Sequence, residues 1–173
     1  MRARGAVAAL AAAALLGAMF LDWYSNSEAI ALLEMLREMA DPGADFPIEE
    51  SDINISAWET SGFGTIATLL LALCGAAAIG AGLSLALRGG LAERRDIARD
   101  LASVLLVAGG LATGVIIYRL IDKPVEPLVG TLSVEPGLYI GLAAAIVLGV
   151  SGLLAMFAAR GAGRPSAASE GEG

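Results

Sequence analysis

The residues most able to do chemistry lie close together in one segment. Asp41, Asp45, Glu49, Glu50 and Asp52 crowd the stretch "DPGADFPIEESD". Carboxylates so gathered suit a hard cation such as calcium, which takes oxygen ligands. Their spacing matches no EF-hand loop, and two prolines and a glycine oppose regular structure. The segment therefore reads as a solvated acidic loop with no metal. Acid–base catalysis fares no better, because these acids have no base beside them and no rigid element beneath them. The chain has no histidine and one cysteine, Cys74. Histidine-ligated haem, most catalytic zinc sites and paired-thiol redox chemistry are thereby excluded. No nucleophile elbow or phosphate-binding loop is present. The expectation is a protein that is not an enzyme and carries no cofactor.

A second constellation surrounds Arg119. It closes an apolar run and opens "YRLIDKP". The outer ends of the apolar runs carry Asp22, Glu59, Arg119 and Glu135, and Arg119 is the cation among them. Two readings stand side by side. Arg119 pairs with Glu59 or Asp22, while Asp122 holds Lys123 or Arg119 from above and Tyr118, Trp23 and Trp58 form an aromatic belt. Alternatively, Arg119 extends to phosphate headgroups. An exposed ion pair contributes only about 0–1 kcal/mol, and partial desolvation raises that.

Both readings presuppose a membrane, and the composition supplies one. The 173 residues are 57% hydrophobic and 17% charged, with a mean hydropathy of +0.72. Ordinary soluble domains are about 25% charged. Four runs, Ala6–Leu21, Phe63–Leu87, Leu101–Tyr118 and Leu138–Ala159, contain no Asp, Glu, Lys or Arg. A bilayer core of about 30 Å needs about 20 helical residues. Unpaired backbone groups are too costly in lipid, so the runs should be helices. They predict an all-α membrane protein: an antiparallel four-helix transmembrane bundle with helices about 6–24, 63–87, 92–119 and 138–159. The first reaches its length only by including Trp23 and Tyr24. Small-residue pairs such as Gly110–Gly114, Gly137–Gly141, Ala78–Gly82 and Ala145–Gly149 suit close helix packing.

Outside the spans, the outer loop 25–62 begins with Ser25–Glu28, which matches a capping box. An amphipathic helix over about 26–40 follows, with Glu34, Arg37, Glu38 and Asp41 on its polar stripe. The tail, residues 160–173, reads as disordered. Asn54-Ile55-Ser56 is a glycosylation sequon, of no consequence in a bacterium. The Ala-, Gly- and Arg-rich composition points there.

Charge sets orientation. Arg2, Arg4, Arg88, Arg94, Arg95, Arg99, Arg160 and Arg164 fall on one side, and Arg37, Arg119 and Lys123 on the other. Both termini are expected in the cytoplasm of a plasma-membrane protein. A cleaved signal sequence ending near Ala29–Ala31 is the alternative for the first run, and it leaves the loop outside as well. The net charge of −7 arises largely from this loop. An acidic outer segment repels nucleic acid and anionic lipid. The partners expected are the bilayer and a membrane or extracytoplasmic protein.

"LDWY", "SAWE", "YRLIDKP" and "EPGLYIGL" resemble a group of actinobacterial four-span membrane proteins without an assigned activity. The resemblance runs from about Leu21 to Met156. It implies a plasma-membrane location and a four-helix fold, and it implies no substrate. The function expected is a non-catalytic accessory or scaffold role through the acidic outer loop. The alternative is a small-solute or lipid-handling transporter lined by Thr65, Thr68, Ser84, Ser103, Thr113 and Ser151.

Overall fold

A computed structural model describes residues 2–40, 53–58, 63–87, 95–123 and 131–161. These residues are mostly helical. The helices are α1 (Arg2–Ala18), α2 (Ser27–Met39), α3 (Phe63–Leu87), α4 (Arg95–Ile121) and α5 (Pro136–Gly161). Three of them, α3, α4 and α5, are long and apolar enough to cross a membrane. The acidic loop 41–52, the turn at Arg88–Gly90, the expected start of a helix near Ala92 and the tail beyond Gly161 lie outside the described residues.

The first helix departs from expectation. It has 17 residues rather than running to Tyr24, and at 1.5 Å per residue it spans about 26 Å. Its last turn tightens: Met19, Phe20 and Leu21 donate to Leu16, Gly17 and Ala18 three residues back. Such bonds satisfy carbonyls that an α-helix end leaves open. Beyond them the chain becomes β1 (Asp22–Ser25). Trp and Tyr favour extended backbone, and here that preference outweighs continuation of the helix. β1 is the centre of a small antiparallel sheet between β2 (Ile55–Ser56) and β3 (Ser133–Val134). Tyr24 stands opposite Ile55 and Val134, and Ser25 opposite Ser133, with an irregular register between Asp22 and Tyr24. The sheet ties three chain segments that are far apart in sequence.

The α2 helix is capped by Asn26, whose side chain accepts from the Ala29 amide at 3.0 Å. The capping box expected at Ser25–Glu28 is displaced, because Ser25 belongs to β1. Its hydroxyl bonds to Glu135 and Ser133.

In the core, α1 packs on α3 and α5, and α4 packs on α3 and α5. Glycines set the closest approaches. A Cβ added to Gly109 would lie 2.5 Å from the Gly149 Cα, and one added to Gly152 would lie 2.5 Å from the Leu106 amide nitrogen. The α1–α3 crossing uses Gly82, where a Cβ would meet the Ala9 nitrogen at 2.8 Å. Gly137 lets the start of α5 pass close to β1, since a Cβ there would lie 2.5 Å from the Asp22 carbonyl oxygen. Gly110 and Gly114 differ from the packing role read for them. Nothing lies within 4 Å of a Cβ at either position.

Candidate functional site

Arg119 occupies the last turn of α4. It is 2% exposed, among the largest buried side chains of the protein. An uncompensated buried charge costs several kcal/mol, so its surroundings must supply acceptors. They do so from the segment leading into α3. Nη1 donates to the Ala57 carbonyl at 3.2 Å. Nη2 donates to the Gly64 carbonyl at 2.5 Å and to Thr68 Oγ1 at 2.6 Å. Thr68 in turn donates to Ala57 O at 2.6 Å and lies 3.0 Å from Gly64 O. The guanidinium thus grips both ends of the connection from β2 into α3. Gly64 O, in the first turn of α3, and Ala57 O each have a second lone pair with which to accept.

Trp23 completes the enclosure. The Arg119 Cζ lies 5.4 Å from its ring centroid, within the range for cation–π attraction, worth about 2 kcal/mol when desolvated. The indole is wholly buried, and its Nε1 donates to the Ala18 carbonyl at 2.7 Å. Trp23 therefore differs from the belt position expected for it. It points inward, closing the end of α1 and carrying the cation on its face. Tyr24, also wholly buried, donates its hydroxyl to the Arg119 carbonyl at 2.6 Å. Burial pushes the Tyr24 phenol up to about 12, a rise that the nearby Arg119 charge reduces and Asp122 adds to.

The other expected residues lie around this centre. Trp58 is 41% exposed and meets Phe20 with ring centroids 5.7 Å apart and planes at 42°. Tyr118 is exposed and donates its hydroxyl to Asp122. Asp122 was expected above Lys123 or Arg119, and Lys123 instead donates to the Leu132 carbonyl. Asp22 is exposed and accepts from Asn54 Nδ2 at 3.2 Å. Glu59, the other acid expected to pair with Arg119, lies outside the described residues.

Sequence reasoning missed Tyr24, Ala57, Gly64 and Thr68 as partners of Arg119. Three of those contacts use backbone carbonyls, which no residue type announces. Thr68 had a signal, being a hydroxyl one turn inside an apolar helix. The sequence alone offers it as a polar lining of the transporter alternative. The sheet had one too: "DWYS" and "TLSV" are rich in aromatic and β-branched residues next to turn formers.

The site holds segments together. Its acceptors are carbonyls and a hydroxyl already engaged with the guanidinium. Among the described residues no group of three His, Cys, Asp or Glu side chains is placed to hold a metal ion. Comparison of the chain with family models, curated proteins and solved structures returns no match.

Proposed function

We propose that this is a multi-pass plasma-membrane protein of bacterial type, an antiparallel four-helix bundle with both termini in the cytoplasm. Its role is non-catalytic: an accessory or scaffold subunit that presents the acidic segment around α2 to a protein partner outside the membrane. In this reading α1 is the fourth span, with β1 at headgroup depth beyond its end. The observation that carries the proposal is the Arg119 centre. It fixes the β2–α3 connection and β1 to the end of α4 with a buried cation and no reactive group. Such a centre serves to hold a shape. What it holds is the base of the segment that bears most of the net negative charge.

The polar residues of the spans weigh against the transporter alternative. Thr113 Oγ1 donates to Gly109 O at 2.7 Å and Ser103 Oγ to Arg99 O at 2.9 Å. Each thus returns to a carbonyl of its own helix, the usual use of such residues in a span, which favours the non-transport reading.

The test is purification of the tagged protein from its own membranes in mild detergent. A stoichiometric protein partner should accompany it and be lost when Ser27–Asp52 is deleted. A protein that purifies alone, in full-length and deleted forms alike, would contradict the accessory reading.

A further inference from the structure

The α2 helix buries little. Leu33 is its buried residue, while Leu32, Met35, Leu36 and Met39 are 44%, 58%, 46% and 74% exposed. These four follow an i, i+3, i+4, i+7 spacing and so form one stripe. The stripe lies beside the inward line of Asn26, Ile30 and Leu33. Glu34 and Glu38 fall on the remaining side. The apolar surface of α2 is therefore wider than the part the protein covers, and the charge on the uncovered stripe is Glu28, exposed in the first turn at its N-terminal end.

Position decides what covers it. The α4 and α5 helices have 27 and 26 residues, about 40 Å each, against a hydrocarbon core of about 30 Å. Their ends must enter the headgroup layer. β1 is fastened to the start of α5, where the Glu135 amide donates to the Trp23 carbonyl at 2.9 Å. The sheet consequently sits at headgroup depth, and α2 begins at Ser27, directly after β1 and its Asn26 cap. The same end of the molecule already exposes apolar surface at Phe20, Leu21 and Trp58.

We infer that α2 lies in the outer-leaflet interface, its Leu32–Met35–Leu36–Met39 stripe covered by lipid and its Glu34–Glu38 side turned to water. Attachment is by apolar burial, because the acidic side disfavours anionic headgroups. This placement rests on the multi-pass reading. It also aims the acidic side of α2 away from the membrane, toward a partner.

Single-cysteine variants of the full chain test the inference in zwitterionic phosphatidylcholine nanodiscs. The background is Cys74→Ala. Met35→Cys, Met39→Cys, Glu34→Cys and Glu38→Cys each carry a small environment-sensitive fluorophore. Leu73→Cys, on the exposed surface of α3, reports the span. Nitroxide lipid should quench positions 35 and 39 several-fold more than 34 and 38, and aqueous iodide should show the reverse order. Equal iodide quenching at all four positions would overturn the inference in favour of a helix standing free in water. Positions 35 and 39 shielded from both quenchers would overturn it in favour of a protein occupant, including a second copy. If Leu73 also escapes the lipid quencher, the spanning reading itself fails. If only the α2 positions escape, that reading stands and the interfacial placement does not.

Discussion

Removing the Arg119 fork takes the donor away from two backbone carbonyls and from Thr68 in one step. A hydrogen bond from a charged donor contributes about 1.5–3 kcal/mol. Arg119→Met should therefore lower the thermal midpoint in detergent sharply, with Trp23 fluorescence shifting to the red as its enclosure opens. Arg119→Lys keeps the charge, but an ammonium lacks the planar fork that spans Ala57 and Gly64. It should recover only part of the loss. Equal midpoints for Arg119→Met and the unaltered protein would remove the centre from the account. Tyr24 offers a separate handle. Its phenol is held neutral up to about 12 against an ordinary value of 10.0. A folded-state value above the unfolded one means stabilisation that is complete below about pH 10 and lost as pH rises toward 12. Unfolding in alkali should thus begin in that window. Tyr24→Phe should cost about 1 kcal/mol at neutral pH and flatten the alkaline limb. An unchanged limb would assign it to other groups. At this scale the sequence marked Arg119 and Trp23 as residues to explain, and their types predicted a cation paired with Glu59 or Asp22, or reaching headgroups, beside an aromatic belt. It could not show that the aromatic contact is beneath the charge, nor that carbonyls serve as acceptors. Those facts depend on where α1 stops.

At the scale of elements, the glycines separate into those that a neighbour requires and those that none does. Gly109→Leu would drive a side chain into the Gly149 backbone and force α4 from α5. Gly110→Leu, one residue on, points into open space. The first should destabilise by several kcal/mol, since overpacking costs about 1–3 kcal/mol even where the neighbour can yield. The second should change the midpoint little. Comparable losses for both would mean that the crossing is drawn wrongly or that a further helix covers Gly110. The small-xxx-small spacing in the sequence marks Gly109's neighbour and Gly110 alike, because spacing carries no information about which face meets a partner. The long apolar elements were legible for the opposite reason. The charge-free run Phe63–Leu87 coincides with α3, since in lipid a continuous apolar run has one way to satisfy its backbone. The short strands were hidden because two residues of β2 or β3 carry no periodicity. Pairing with β1 defines them.

The whole molecule has an asymmetry of charge and of construction. Basic residues collect toward one set of helix ends. At the other set lie the sheet, the Arg119 centre and α2 with Glu28, Glu34 and Glu38. In the proposed reading one end holds and presents an acidic surface, and the apolar helices keep it at the membrane. Association driven by that surface should weaken as salt rises, because exposed charges are screened over about 8–10 Å at physiological ionic strength. Partner recovery that is insensitive to salt would place the contact on an apolar surface instead. Everything in this reading depends on which side of the membrane carries α2. The direct measurement is labelling of intact cells with a membrane-impermeant maleimide, using Glu38→Cys and Ser169→Cys in the Cys74→Ala background. The account predicts that position 38 is labelled from outside and position 169 only after the membrane is permeabilised. Labelling of position 169 in intact cells, with position 38 protected until permeabilisation, would contradict it.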